Sequence, residues 1–215
     1  MKYSLVVFDW DGTLIDSAGT IVRCIQDAAR DMALEVPDRE RASHVIGLGL
    51  QDSLRFAVPG LAAERYSEFA GLYRKHFLAR QDSMLLFAGI RELLERLSSE
   101  RTLAIATGKS RKGLDRALEF DGLKRFFAAS RCADETNPKP HPAMLLELMR
   151  EFSIDKTKTL MIGDTSHDLE MAKAAGVDAL AVTYGAHPEN GLRACAPLDC
   201  VSTVASLNEW LMKNG

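Results

Sequence analysis

The 215-residue sequence has little of what marks a fibrous, disordered or membrane-spanning chain. Its 15 Gly and 7 Pro are too few for a fibrous or low-complexity protein. Its apolar stretches all fall well short of the roughly 20 residues that a helix needs to span a bilayer. Asp9 and Asp11 interrupt the short apolar run that follows Lys2, so the pattern of a secretory signal is missing. We therefore expect a globular protein of the cytoplasm.

The sequence also contains few cysteines and carries a small net charge. The four cysteines, Cys24, Cys132, Cys195 and Cys200, lie far apart and form no CxxC pair, which predicts reduced thiols rather than a zinc site or disulfide framework. With 27 Lys and Arg against 30 Asp and Glu, the net charge is -3, and there is no basic run. We therefore expect no nucleic-acid surface, although a local positive pocket for one phosphate fits these figures.

Short β-rich runs alternate with helical patterns along much of the chain. The predicted strands are residues 4–8, 103–106, 127–130, 159–162 and 179–183. Apolar residues at helical spacing separate most of these runs, and strands that alternate with helices of this length favour a parallel sheet. The sequence therefore predicts an α/β fold with a doubly wound, Rossmann-like, mostly parallel sheet.

A helical insertion interrupts this alternation after the first strand. About 95 residues separate the first strand from the second, and residues from about 17 to 80 show helical periods with no convincing strand. We predict a small all-helical cap domain at residues 16–86, inserted into a core formed by residues 1–15 and 87–215. The insertion would emerge at the sheet edge where ligands usually bind.

Two carboxylates follow the first strand, in Asp9-Trp10-Asp11-Gly12-Thr13. Bringing two carboxylates close together is costly unless a cation neutralises them, and Mg2+ is the usual partner for hard oxygen ligands. A turn containing Asp and Gly is the alternative interpretation.

A second acidic cluster, Asp164 and Asp168, follows the fourth predicted strand. The two residues are one helical turn apart and would share a face if the helix has already begun. An acidic helix N-cap would explain either residue singly. It would not explain why both acidic clusters end strands of the same sheet, so the sequence favours one shared site.

Thr107 and Lys139 complete the set of candidate site residues. Thr107 closes the second strand and offers a hydroxyl beside Gly108, whose backbone could approach an anion closely. A helix N-cap is the simpler role for Thr107. Lys139 stands just before a predicted helix, where a positive charge is unfavourable. A salt bridge to a nearby acid would explain it, as would binding to a phosphate.

Taken in order, these four clusters resemble the four motifs of the haloacid dehalogenase superfamily, and the resemblance covers essentially the whole chain. The insertion resembles the small C1-type cap of the phosphoglycolate-phosphatase-like branch. The resemblance implies Mg2+-dependent phosphoryl transfer through an aspartyl-phosphate, with Asp9 as nucleophile and Asp11 as general acid and base. It also implies that Asp9, the Asp11 backbone carbonyl and Asp164 bind the metal, with Asp168 contributing directly or through water.

The resemblance assigns the remaining residues to substrate binding. Thr107, the Gly108 N–H and Lys139 would hold the phosphoryl oxygens. Gly47 and Gly49 lie in a segment that resembles the cap loop facing the active site, where glycine would let the backbone approach a small leaving group. Gly108 departs from the family pattern, which often has Asn at this position, so a side-chain contact there is in doubt.

The predicted activity is hydrolysis of a small phosphomonoester, similar to phosphoglycolate, and the predicted partner is a small phosphorylated metabolite rather than a nucleic acid or a membrane. A β-phosphoglucomutase-like sugar phosphomutase shares every core motif and is the main alternative. Within hydrolysis, a sugar phosphate, a nucleoside monophosphate and pyrophosphate stay open as substrates. Intact motifs disfavour a phosphate-sensing module on a disused scaffold. None of these patterns determines the oligomeric state.

Overall fold

The computed structural model describes residues 2–120 and 122–215. At its centre lies a six-stranded sheet in the order β3-β2-β1-β4-β5-β6, and all five strand pairings are parallel. The strands are β1 (Leu5–Phe8), β2 (Thr102–Thr107), β3 (Ala129–Cys132), β4 (Thr159–Gly163), β5 (Asp178–Val182) and β6 (Cys200–Val201). The predicted α/β fold is confirmed.

Strand β1 lies inside the sheet, and every one of its residues is apolar and fully buried. Its side chains alternate between two apolar layers, with Val6 and Phe8 in one and Leu5 and Val7 in the other. A strand buried on both faces needs this unbroken apolar run, and parallel connections supply the covering helices. The doubly wound arrangement predicted from the sequence is therefore present.

Ten α-helices are formed by the described residues. Four lie in the insertion: α1 (Ala18–Asp31), α2 (Arg39–His44), α3 (Leu50–Ala57) and α4 (Tyr66–Leu78). Six belong to the sheet region: α5 (Ile90–Ser98), α6 (Arg111–Phe120), α7 (Ala143–Phe152), α8 (Ser166–Ala175), α9 (Glu189–Ala194) and α10 (Val204–Asn214). Within the described ranges, every helix is too short or too polar to cross a membrane.

The insertion is helical throughout its regular structure and has an apolar cluster of its own, which includes Ile21, Leu54 and Phe69. Its two connections to the sheet lie side by side. The Asp16 N–H donates to the Leu85 carbonyl at 2.9 Å, and the Phe87 N–H donates to the Leu14 carbonyl at 3.1 Å. An all-helical insertion after the first strand is thus confirmed. Its assignment as a separate domain of residues 16–86 stays a prediction.

Two predicted details of the sheet are wrong. Strand β3 begins at Ala129, two residues later than expected, because Phe127 closes a 3-10 turn and its N–H donates to the Lys124 carbonyl at 3.3 Å. Strand β6 was not predicted, because two residues at the sheet edge carry no periodic signal.

Candidate active site

Three parallel strands place their carboxyl ends at one edge of the sheet, and the predicted site residues meet there. Asp9 follows β1, Thr107 ends β2 and Asp164 follows β4, while the loop before α7 supplies Lys139. All four side chains are buried, with at most 1% exposure. Because β1 pairs with both β2 and β4, residues far apart in sequence become neighbours.

Lys139 lies between two carboxylates. Its Nζ is 2.6 Å from Asp9 Oδ1 and 2.6 Å from Asp168 Oδ1. Burial lowers the pKa of Lys139, but the charges of Asp168 and Asp9 outweigh it and raise the pKa above its ordinary value. The side chain therefore remains an ammonium group at neutral pH. The salt bridge considered from the sequence is present, and it lies inside the acidic cluster.

Asp9 has one oxygen in a salt bridge and one without a partner. Its backbone N–H donates to the Ile162 carbonyl at 2.9 Å, which extends the sheet pairing to this residue. Burial raises the pKa of Asp9 to about 7, with Lys139 opposing the shift. Oδ2 is buried and accepts no hydrogen bond. A buried, unpartnered carboxylate oxygen can bond to a metal ion or to an electrophile.

Asp164 is held in place through both of its oxygens. Oδ1 accepts from the Thr13 hydroxyl at 2.8 Å, and Oδ2 accepts from the Ala186 N–H at 2.7 Å. Burial and the charge of Asp9 raise the pKa of Asp164 well above its usual range. Gly12 makes this packing possible, since its φ is +83° and an added Cβ would lie 2.2 Å from Asp164 Oδ2.

Asp168 belongs to the first turn of α8, whereas Asp164 precedes the helix. Thr165 is the N-cap, and its N–H and hydroxyl both donate to Asp168 Oδ2, at 3.1 Å and 2.7 Å. The helix has therefore not begun at Asp164, and the two residues do not share a helical face. They meet because the strand ends directly at the capped helix, so that both carboxylates lie at the same sheet edge.

The charges of this cluster suit a divalent cation. Oxygen atoms of Asp9, Asp164 and Asp168 lie within 4.8 Å of one another. Three carboxylates and the single ammonium of Lys139 give the buried cluster a formal charge of about -2, which is costly to bury. A hard divalent ion with oxygen ligands would neutralise it. The Asp11 carboxylate lies outside this group.

Asp11 is instead paired with Lys109, a residue that sequence reasoning missed. The Lys109 Nζ lies 2.8 Å from Asp11 Oδ2 and 3.0 Å from Oδ1, and the Ser17 hydroxyl donates to Oδ1 at 2.8 Å. The available signal was position, because Lys109 stands two residues after Thr107 at the same strand end. Thr107 itself accepts a hydrogen bond from the Lys109 N–H at 3.2 Å.

The glycines predicted to bind substrate lie where the insertion touches the sheet region. A Cβ added to Gly108 would lie 2.6 Å from the Gly47 carbonyl oxygen and 2.9 Å from that of Leu48. A Cβ added to Gly49 would lie 3.0 Å from the Pro138 side chain. Gly108 therefore permits close packing against the backbone of the insertion, and Gly49 permits close packing against Pro138. Their contact with substrate stays a prediction.

Three imidazoles meet at the same boundary, and His187 does not suit a metal. Nε2 of His167 and of His187 lie 2.7 Å and 3.2 Å from the His44 carbonyl oxygen. The Ser166 N–H donates to His187 Nδ1 at 3.1 Å, so a neutral His187 carries its proton on Nε2. Burial and the two neighbouring rings lower the pKa of His187 to about 4, which keeps it neutral. The rings therefore fasten α2 to the sheet region.

A cavity of about 410 Å³ opens from this site into the insertion. Asp9, Asp11 and Thr107 lie at one end, and residues of α1, α3 and α4 form the other. Lys109 also lines it and lies 4.8 Å from the centre of the Phe77 ring of α4. The arrangement gives a small molecule access to the carboxylates while enclosing its remaining part.

Comparison with known proteins gives consistent results. Residues 6–182 match the family described as haloacid dehalogenase-like hydrolase. A protein of Dickeya dadantii (strain 3937) named "Probable phosphatase IndB" is 36% identical over 211 residues, which cover 94% of this chain and 91% of that protein. The phosphoglycolate phosphatase of Aliivibrio fischeri is 30% identical over 191 residues, 84% of each chain. A hydrolase structure from Pseudomonas syringae has a TM-score of 0.88 at 21% identity, covers 99% of each chain, and shares the fold.

Proposed function

The chain belongs to the haloacid dehalogenase-like hydrolases, and we propose that it is a Mg2+-dependent phosphatase that hydrolyses a small phosphomonoester through an aspartyl-phosphate. The observation that carries the proposal is the Asp9 carboxylate, which is buried at the end of β1 with one oxygen unpartnered and an ammonium beside the other. The relatives include phosphatases, which supports a phosphoric monoester as the substrate.

In the first step, an Asp9 oxygen forms a bond to phosphorus while the bond from phosphorus to the ester oxygen breaks. Asp11 gives its proton to the departing alcohol oxygen. The two carboxyls have separate surroundings, because Asp9 lies in the acidic cluster whereas Asp11 is held by Lys109 and Ser17.

In the second step, a water molecule attacks the phosphorus of the aspartyl-phosphate, and Asp11 accepts the proton of that water. The bond between phosphorus and the Asp9 oxygen breaks, which releases phosphate and restores the carboxylate. Splitting one displacement into two allows the same Asp11 oxygen to act as acid and then as base.

The phosphoryl oxygens are held by the Thr107 hydroxyl, the Gly108 N–H and the Lys139 ammonium as charge redistributes in the transition state. Asp9, Asp164, Asp168 and the Asp11 backbone carbonyl would hold Mg2+, whose positive charge offsets repulsion between the carboxylates and the phosphate. The formal charge of the acidic cluster supports this assignment.

Residues 16–86 act in this proposal as a cap over a core formed by residues 1–15 and 87–215, and they enclose a small phosphorylated metabolite of the cytoplasm. The separate apolar cluster of the insertion and its paired connections support the division. Bending near residues 16–17 and 86–89 would open the cap for entry of substrate and release of product.

The test is phosphate release from p-nitrophenyl phosphate and a panel of phosphate esters, with MgCl2 and with EDTA. Asp9→Asn should abolish turnover, and the mass of one phosphoryl group should be found on Asp9 after acid quenching of the wild type. Asp199→Asn, an exposed Asp elsewhere, serves as the control. Turnover retained in Asp9→Asn would contradict the assignment of Asp9 as the nucleophile. Release that requires a sugar bisphosphate would indicate a phosphomutase instead.

A further inference from the structure

The wall of the cavity indicates what kind of leaving group it accepts. Its volume of about 410 Å³ lies within the range of about 300–1,000 Å³ that is typical of ligand pockets. Beyond the carboxylates, the lining is formed largely by apolar side chains of the insertion, which include Ile21, Ile25, Ile46, Leu54 and Phe69. A bound group that fills this part exchanges contact with water for contact with apolar surface.

Most positive charges that line the cavity are exposed to solvent rather than enclosed with the apolar wall. Among the described residues that line it, Lys109 is the one cation that is not exposed at the surface, and its ammonium contacts the Asp11 carboxylate. Arg74, Lys112 and Arg116 also line it but are exposed at the surface. A carboxylate or second phosphate placed against the apolar wall, away from these exposed cations, would lose its hydration without gaining a counter-charge, which is costly.

The exposed part of the cavity lining also carries large apolar side chains. Leu50, Leu78 and Phe120 line the cavity and are 50%, 41% and 53% exposed, which is unusual for large apolar side chains that serve only the core. They come from α3, α4 and α6, so the apolar patch spans both the insertion and the sheet region. Exposed apolar side chains that line a cavity are typical of a ligand-binding surface.

We propose that the substrate is a phosphomonoester whose alcohol part is uncharged and predominantly apolar. Such a substrate lays its phosphate against Asp9 and its alcohol part along the apolar wall. The inference rests on the proposed phosphatase function and narrows its substrate class, away from the carboxylate of phosphoglycolate and the second phosphate of pyrophosphate.

A series of primary n-alkyl phosphates tests this, from ethyl through butyl to hexyl phosphate. Their leaving alcohols have nearly the same basicity, so differences in rate report binding to the cavity rather than chemical reactivity. Burial of one CH2 group corresponds to about a fourfold gain in kcat/KM. We expect kcat/KM to rise by about that factor for each CH2 and to lie at least about tenfold lower for phosphoglycolate than for butyl phosphate.

Two substitutions of equally exposed leucines distinguish an effect of the cavity wall from an effect of the same change elsewhere on the surface. Leu50→Ser places a hydroxyl on the cavity lining and should reduce the gain per CH2. Leu198→Ser is the control, because Leu198 is 49% exposed and lies outside the cavity. Phe120→Ser provides a second lining variant if Leu50→Ser does not fold, as judged by circular dichroism.

The outcomes distinguish the two proposals. If esters are hydrolysed with Mg2+ but kcat/KM does not rise with chain length, or if phosphoglycolate or pyrophosphate is preferred, the apolar substrate class is wrong and the phosphatase function stands. An equal gain per CH2 in Leu50→Ser and Leu198→Ser also contradicts the assigned wall. If no ester is hydrolysed, the proposed function itself fails.

Discussion

The Lys109 ammonium contacts both carboxylate oxygens of Asp11, at 2.8 Å and 3.0 Å, across 98 positions of sequence. Each side chain is only 12% exposed, so the pair is shielded from most of the solvent. The same ammonium lies 4.8 Å from the centre of the Phe77 ring. Lys109 therefore connects the end of β2, the proposed acid and base, and a helix of the insertion, which makes it a positioning residue.

Lys109→Met should lower kcat by at least about tenfold, because general acid and base catalysis contributes about 10²- to 10⁴-fold and depends on a correctly placed carboxyl. The Met side chain keeps the length but removes the charge. Steady-state kinetics with p-nitrophenyl phosphate measures the change, and Lys173→Met, an exposed lysine of α8, is the control. An unchanged kcat would show that Asp11 does not depend on Lys109.

The contribution of Asp9 and Asp164 to the stability of the metal-free protein should fall as pH rises from about 4 to 7. Burial raises the pKa of Asp9 to about 7 and that of Asp164 in the same direction, so the folded protein keeps protons that the unfolded chain releases above its pKa of about 3.9. The free energy of unfolding therefore decreases by up to ~1.4 kcal/mol per pH unit for each such group. Urea denaturation in EDTA measures this slope for Asp164 as the difference between the wild type and Asp164→Asn, because His187, whose pKa burial lowers to about 4, contributes the opposite slope in both proteins.

Mg2+ should reverse that loss, and more strongly at pH 8 than at pH 5. A ligand that binds only the folded state raises its stability according to its concentration relative to Kd, and the carboxylates must be ionised to bind it. Thermal denaturation with and without MgCl2 measures the shift in Tm. Asp164→Asn should show a smaller shift, whereas Asp155→Asn, an exposed Asp, should behave as the wild type. An equal shift in both variants would place the metal elsewhere.

Gly108→Ala should impair activity by moving the insertion away from the sheet region. The new Cβ would lie 2.6 Å from the Gly47 carbonyl oxygen, and a backbone atom cannot yield as the end of a side chain does. We expect kcat/KM to fall by at least about tenfold, since small misplacements at an active site are costly. Gly71→Ala on α4 is the control, because no atom lies within 4 Å of its added Cβ. Equal kcat/KM in both variants would contradict the close packing.

Lys139→Met should destabilise the protein as well as slow it. Lys139 is 0% exposed and lies between Asp9 and Asp168. Removing one partner of a buried ion pair costs about 3–5 kcal/mol because charge is left uncompensated. Urea denaturation at pH 8 in EDTA should show this loss, whereas Lys158→Met, an exposed lysine, should not. A stability equal to that of the wild type would contradict the described ion pairs.

The sequence predicted those parts of the fold that depend on local pattern. The run Leu5–Phe8 is apolar at every position, which is sufficient to identify a strand buried on both faces. The order of the strands depends on pairings between distant segments, such as Phe8 with Ile105 and with Ile162, and no local pattern encodes it. Strand β6 was missed for the same reason, since two residues acquire their pairing from β5 alone.

The residues of the candidate site were likewise predictable only in part. Asp9, Thr107 and Asp164 could be found because each stands directly after a predicted strand, where parallel strands converge. The pairing of Lys109 with Asp11 could not, because a lysine near a helix start is ordinarily exposed and its partner lies 98 residues away. The apolar cavity also escaped prediction, since its lining residues follow the same helical spacing as ordinary core residues.

The paired connections of the insertion allow it to be replaced without disturbing the sheet. Because the segment that enters the insertion bonds to the segment that leaves it, at Asp16 with Leu85 and at Phe87 with Leu14, the two attachment points lie side by side. The four helices are thus attached to the sheet region in the way a long surface loop is attached. The two ends of the inserted segment are already adjacent, so its length adds little entropic cost. Another helical insertion whose two ends are equally close could replace this one without disturbing the five strand pairings. The replacement would change the pocket for the leaving group, while the carboxylates would stay in place.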